Sequence, residues 1–125
     1  MSALIAVVDD DTLFVEVLSD LLAEEGYQVQ TYKNGADAFP QLRDQPPALI
    51  ILDIPGIAPT QGWKTLELLC SDPMTMTVPI IVCSADIFML RDQADRLAAL
   101  HISVLEKPFS IEDLLIMIDQ ALGCD

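Results

Sequence analysis

The sequence predicts an α/β domain: a single five-stranded parallel sheet, doubly wound, with five helices on its faces. Three observations carry that prediction. Short, continuous apolar runs rich in β-branched residues recur along the chain, among them Ala3 to Val8, Ala48 to Leu52 and Pro79 to Cys83, and runs of that length without alternation fit strands buried on both faces. Between them lie stretches in which apolar residues return at helical spacing, and the links between the two kinds of stretch are short. That alternation favours right-handed crossovers that put helices on both sides of one sheet.

The first strand, Ala3 to Val8, ends in Asp9-Asp10-Asp11. From Thr12 the pattern becomes helical, with Phe14, Val17, Leu18, Leu21 and Leu22 on one stripe, Asp11 able to cap the start and Gly26 a natural stop. Val29 to Tyr32 is a shorter strand. Asn34-Gly35 then turns the chain into a second helix with Ala36, Phe39 and Leu42 on one face. Pro40 removes a backbone donor and crowds the preceding turn, so this helix is expected to be short, kinked, or to begin close to Pro40. Pro46-Pro47 precedes the third strand, Ala48 to Leu52, which ends abruptly in Asp53 and is followed by Pro55 and Gly56. Ile54 to Gln61 holds two prolines and a glycine and is expected to be a loop. Trp63, Leu66, Leu69 and Cys70 give a third helical stripe that Pro73 terminates. Pro79 to Cys83 is the fourth strand, closed by Ser84-Ala85. Ile87 to Leu100 reads as a fourth helix with Leu90, Ala94 and Leu97 inward, and Ile102 to Leu105 as the fifth strand, closed by Glu106-Lys107-Pro108. Ser110 and Asp113 open the last helix in capping-box fashion; Ile111, Leu114, Leu115, Ile118 and Leu122 form its core face before Gly123. There are no internal repeats and no low-complexity tract.

At 125 residues the chain is expected to be one domain, residues 1–125, large enough to bury a core without covalent staples. An apolar fraction of 52% argues against disorder. A net charge of −14 argues against nucleic acid as a direct partner, because phosphate backbones demand basic surface. The three cysteines, Cys70, Cys83 and Cys124, have no CxxC spacing, which points to a reducing, cytoplasmic setting rather than a disulfide framework. The apolar start has no basic leader, and no run approaches a membrane span, so no membrane partner is expected.

In open α/β sheets ligands gather beyond the carboxyl ends of the strands. Asp9 and Asp10 follow the first strand, Asp53 the third, Ser84 the fourth and Lys107 the fifth, so all are expected at one edge of the sheet. Clustered carboxylates repel, and an ordinary remedy is a hard divalent cation held through oxygens. Mg²⁺ suits the set best, since it takes one or two carboxylates, keeps waters and favours phosphate oxygens. Lys107 offers a positive charge to a phosphoryl group, Ser84 a hydroxyl, and the backbone amides from Ala85 onward further donors. Asp53 is then the candidate nucleophile, forming an aspartyl phosphate. Each residue alone has a plainer explanation: Asp11 as a helix cap, Ser84 as a turn residue, Lys107 as a solvated charge. Jointly, on four separate strands, they favour function.

VVDD at Val7 to Asp10, LIILD at Leu49 to Asp53, VCSA at Val82 to Ala85 and EKPF at Glu106 to Phe109 resemble the receiver domain of two-component response regulators, over nearly the whole chain. The resemblance implies a flavodoxin-like strand order 2-1-3-4-5 and transfer of a phosphoryl group to Asp53 from a phosphohistidine on a sensor histidine kinase or phosphotransfer protein. It implies that Asp10 and Asp53 bind Mg²⁺ directly, Asp9 directly or through water, and the Pro55 carbonyl as the backbone ligand. Lys107 would pair with phosphoryl oxygens, Ser84 would swing in to bond one, and the Lys107-Pro108 bond would be cis. Pro55 and Asp86 would flank the approach of hydrolytic water. The chain departs from the family pattern at Val104, where an aromatic residue commonly stands, in the spacing of Pro55, Gly56, Pro59 and Gly62, and at Leu100-His101, where glycine and a small residue are usual. His101 is expected to be a loop or cap residue. Ile87, Phe88 and Met89, with Ile116 and Met117, are either generous core or a docking surface. That surface, for a downstream protein or a homodimer, would be formed by the fourth helix, fifth strand and last helix.

Two rivals are weighed against a switch. One is a pseudo-receiver, a binding module whose output does not depend on phosphorylation. The other, remote, is a haloacid dehalogenase-type phosphatase using Asp9-Asp10-Asp11-Thr12-Leu13, which puts Leu13 where Thr or Val belongs and leaves Asp53 without a role.

Overall fold

The computed structural model describes residues 3–54 and 59–123. Its elements are β1 (Leu4–Val8), α1 (Thr12–Glu24), β2 (Gln28–Tyr32), α2 (Gly35–Asp44), β3 (Leu49–Asp53), α3 (Pro59–Ser71), β4 (Ile80–Ser84), α4 (Ile87–Asp92), α5 (Ala94–Ala99), β5 (Ser103–Glu106) and α6 (Ile111–Leu122). The strands form one parallel sheet, as the sequence predicts, in the order β2-β1-β3-β4-β5 that the resemblance implies.

The continuous apolar runs are explained by a core on each face. Ala6, Val8, Ile50, Leu52, Ile80 and Val82 point to the side of α2 to α5, where they meet Leu42, Leu66, Leu69 and Leu97. Their neighbours Ile5, Val7, Leu49, Ile51, Ile81 and Cys83 point to the side of α1 and α6, where they meet Leu18, Leu22, Leu114 and Ile118. Alternate side chains of a strand face opposite ways, so a strand covered on both sides has no polar position to spare. Among the described residues no helix is long and apolar enough to cross a membrane.

Helix ends follow the sequence closely. Asp11, Asn34, Asp86 and Ser110 each accept a backbone N–H from the residue three positions on, which satisfies donors that a helix start leaves open. Gly26 and Gly123 take positive φ after α1 and α6, the left-handed stop for which glycine is suited.

Four details differ from expectation. The second helix does not begin at Pro40; it runs for ten residues with Pro40 inside. The proline forfeits one bond to the Ala36 carbonyl, and both positions are exposed, so water can serve that oxygen. Ala36 is accordingly off the core face, which Ala38, Phe39 and Leu42 form. The third helix starts at Pro59, inside the stretch expected to be loop, because a proline is disfavoured within a helix but well suited to its first position. The fourth helix is interrupted at Gln93 (φ −99°, ψ 11°), giving six helices among the described residues rather than five. Backbone bonds from Gln93 to Met89 and from Leu97 to Gln93 continue across the break, so the departure is confined to one residue, and Ala94 beyond it is exposed rather than inward. Finally, Val17 lies off the buried stripe of α1 and is 51% exposed.

Of the apolar residues that were either core or surface, Met89 and Met117 pack against the cores, whereas Ile87, Phe88 and Ile116 are exposed, Phe88 by 84%. Cys70 and Cys83 are free thiols; burial pushes the Cys83 thiol up to about 12, which leaves it without reactive thiolate at neutral pH. Cys124 lies outside the described residues.

Candidate functional site

Strand register sets the site. Val8 pairs with Leu52, Asp53 with Cys83 and Ser84 with Glu106, so Asp9, Asp53, Ser84 and Lys107 all stand at the carboxyl edge of the sheet. Three backbone bonds extend the ladder just past the strands: Asp9 N–H to the Tyr32 carbonyl at 3.0 Å, Ile54 N–H to Cys83 at 3.1 Å and Lys107 N–H to Ser84 at 2.9 Å. These side chains therefore leave from fixed backbone, although each begins where regular structure ends.

Carboxylate oxygens of Asp9, Asp10 and Asp53 lie within 4.8 Å of one another. Asp9 is buried, Asp53 partly so, and Asp10 open to solvent. Lys107 answers that charge: its Nζ donates to Asp9 Oδ2 at 2.8 Å and to Asp53 Oδ1 at 3.0 Å. The other Asp9 oxygen, Oδ1, accepts the Asp11 N–H at 2.9 Å. Burial holds the Asp53 carboxyl above its ordinary value; the Lys107 hydrogen bond works the other way, and the Asp9 charge adds to the rise. For Lys107, burial alone would lower the pKa, but its bonds to Asp9 and Asp53 outweigh that and leave it raised. The Lys107-Pro108 peptide is cis.

Beside the carboxylates runs a cleft of about 220 Å³, lined by Asp9, Asp10, Lys33, Asn34, Asp53 and Thr65. Its floor depends on a close approach of α2 to α3, since a Cβ added at Gly35 would lie 1.8 Å from Thr65 Oγ1. On the other side of Lys107, Phe14, Ala85, Pro108 and Phe109 line a second, mostly apolar hollow.

Asp9, Asp10, Asp53 and Lys107 are thus brought together as expected. Ser84 reaches the same edge, fully buried, where its Oγ accepts the Asp86 N–H at 3.1 Å. Ala85 borders the second hollow, and Pro55 lies outside the described residues. Two contacts were not foreseen. Lys107 Nζ sits 4.3 Å from the centroid of the Phe14 ring, a contact hidden because a phenylalanine at helical spacing reads as core. Arg96 lies over the Trp63 ring and pairs with Glu67, tying α5 to α3; only the helical spacing of Trp63 and Glu67 could have hinted at that.

Comparison with known proteins agrees with this geometry. A family model for the response regulator receiver domain matches residues 5–119. The chain belongs to that family. Among curated relatives of the receiver, the response regulator PleD of Caulobacter vibrioides is 32% identical over 121 residues, covering 93% of this chain and 25% of PleD. The polar-differentiation response regulator DivK of Brucella anthropi is 25% identical over 120 residues, covering 95% of each chain. The receiver spans only 25% of PleD and 46% of the transcriptional regulatory protein TcrX of Mycobacterium tuberculosis. Of solved structures, the N-terminal domain of a response regulator receiver protein from Methanoculleus marisnigri is 29% identical with a TM-score of 0.74, covering 98% of both chains. The receiver domain of the sensor histidine kinase PA1611 from Pseudomonas aeruginosa, described with a magnesium ion coordinated in its active site cleft, has a TM-score of 0.83 at 22% identity. That match covers 98% of this chain and 99% of the other.

The donor set fits a hard divalent cation: three carboxylates in mutual reach, graded from buried to exposed, so that an ion held there can keep waters on its open side.

Proposed function

We propose that this receiver domain is a phosphoryl-accepting switch, with Asp53 as the acceptor. The observation that carries the reading is the pairing of a partly buried Asp53 with Lys107 inside the carboxylate cluster, at the edge where the strands end. In the proposed reaction a carboxylate oxygen of Asp53 attacks the phosphorus of a phosphohistidine on a sensor histidine kinase or phosphotransfer protein. The P–N bond breaks, and the departing imidazole takes up a proton. Desolvation favours the attack by leaving Asp53 few competing waters, while the Lys107 ammonium stands where charge develops on the equatorial oxygens. Asp10 and Asp53, with Asp9 directly or through a water, are the residues that would hold Mg²⁺. The ion would screen the carboxylates and offer a positive centre to the phosphoryl oxygens.

A phosphoryl group adds about −1.5 to −2 charges and three acceptor oxygens. That is enough to draw Lys107 off Asp9 and to recruit the Ser84 hydroxyl from Asp86. Output then passes through protein contacts rather than metabolic turnover, to a downstream protein or a second copy, across the exposed Ile87, Phe88 and Ile116. Slow self-catalysed hydrolysis resets Asp53. A reducing, cytoplasmic setting suits the free thiols of Cys70 and Cys83.

One observation favours the pseudo-receiver as a second reading. Where an aromatic read-out residue commonly stands, Val104 leaves a hollow of about 330 Å³ lined by Leu90, Arg91, Ala94, Leu97 and Glu106. A single experiment separates the two: incubation with a small phosphodonor and Mg²⁺, followed by intact mass. One added phosphoryl group, absent in Asp53→Asn, is expected. No uptake sinks the switch, and uptake without change in oligomeric state or partner affinity favours the binding module.

A further inference from the structure

We propose that Phe14 is a positioning residue for Lys107, its ring face holding the ammonium in line with Asp53. The inference rests on the phosphoacceptor reading given above. Lys107 has three N–H donors, of which Asp9 and Asp53 take two at 2.8 and 3.0 Å. The remaining side of the ammonium meets the Phe14 ring, 4.3 Å from its centroid, where the negative face of an aromatic attracts a cation.

The ring is itself held from two directions. Its partner Phe109 meets it edge to face, with centroids 5.9 Å apart and planes at 89°. Its backbone N–H donates to the capping Asp11 Oδ1 at 3.1 Å, and the Asp11 N–H donates to Asp9 Oδ1 at 2.9 Å. The contacts close into a circuit that runs from Asp9 to Asp11, to Phe14, to Lys107 and back to Asp9. The lysine is thereby aimed relative to the end of β1 as well as that of β5.

A neutral ring suits this task better than a third carboxylate. It holds the cation weakly and without adding charge, so Lys107 stays free to follow charge that builds on a phosphoryl group at Asp53. The ring also lines, together with Lys107, the apolar hollow beside Ala85, Pro108 and Phe109. Packing alone does not require an aromatic here: Phe14 keeps part of its surface exposed at the margin of the α1 and α6 core, a place that Met or Leu could fill.

The test compares Phe14→Tyr, which keeps a ring face, with the ring-less Phe14→Met and Phe14→Leu, by the rate of phosphoryl uptake from a small phosphodonor with Mg²⁺ and by NMR of Lys107. A small donor avoids any role of Phe14 in docking a protein partner. Ring-less variants should take up phosphoryl roughly three- to tenfold more slowly, the factor expected for a partly desolvated cation–π contact. Phe14→Tyr should stay within about twofold of the native rate, since a phenol ring offers the same face. The ring-current upfield shift of the Lys107 side-chain protons should persist in Phe14→Tyr and vanish in the other two. Native rates in Phe14→Met or Phe14→Leu, equal slowing in Phe14→Tyr, or failure of both ring-less variants to fold would overturn the proposal, leaving Phe14 a packing residue. Absence of uptake by the unaltered chain would instead remove the phosphoacceptor reading, and this inference with it.

Discussion

Replacing Lys107 with alanine leaves Asp9, whose side chain is 3% exposed, buried against two further carboxylates without its counter-charge. Breaking such a pair from one side costs about 3 kcal/mol, so Lys107→Ala is expected to unfold at a lower urea midpoint at neutral pH. Added Mg²⁺ should return part of the loss. Asp53 has the opposite sign. Burial raises its pKa in the folded chain, so its contribution to stability is complete below the ordinary 3.8 and is lost as pH rises through the raised value. At neutral pH the ionised side chain is therefore a burden. In metal-free buffer Asp53→Asn is expected to raise Tm by a few degrees and to abolish the fall in stability across that acidic window, which thermal melts at a series of pH values would read. Most of these residues were legible in the sequence, because a carboxylate or lysine standing directly after an apolar strand has its place fixed by register. Phe14 was not, since its helical spacing is equally that of a core residue, and only the fold brings it over Lys107.

The elements that position the site were legible where their signals were local. Asp11, Asn34 and Ser110 announce helix starts because a short polar side chain can satisfy the open N–H groups of a first turn. The start of α3 at Pro59 was missed because proline carries two opposite meanings, breaker inside a helix and favoured first residue, and a glycine and a second proline nearby weighted the wrong one. The interruption at Gln93 has no glycine or proline to mark it. At the end of α5 the sequence shows its departure from the family pattern more directly. His101 takes φ 58°, while its own N–H bonds the Ala98 carbonyl and that of Ile102 bonds Leu97 at 3.0 Å, the paired bonds of a left-handed helix stop. A side chain with a Cβ is strained in that conformation. His101→Gly is expected to stabilise the fold by about 0.5–1 kcal/mol, seen as a higher denaturant midpoint with an unchanged slope. A lower midpoint would mean that the imidazole makes contacts worth more than the strain.

At the scale of the molecule, two cores flank a sheet whose carboxyl edge carries the carboxylate cluster and Lys107, and the helices nearest that edge are tied to it by short links. β3 and β4 both run directly into the site, and the end of β4 is tied to the start of α4 by the Asp86 N–H on Ser84 Oγ and the Met89 N–H on Asp86 Oδ1. The fold class was readable because buried parallel strands and their covering helices leave complementary periodicities in one chain, whereas the strand order was implied only by the resemblance to receiver domains. The proposed output surface was less so, because exposed apolar residues such as Phe88 and Ile116 do not by themselves name what meets them. Everything proposed for the switch depends on Asp53 being the group that carries phosphorus. The direct measurement is to charge the chain with a small phosphodonor and Mg²⁺, reduce it with borohydride, which converts an aspartyl phosphate to homoserine, and map the product by peptide mass spectrometry. Homoserine at position 53 alone is expected; homoserine elsewhere, or none in a chain that has gained phosphorus, would contradict it.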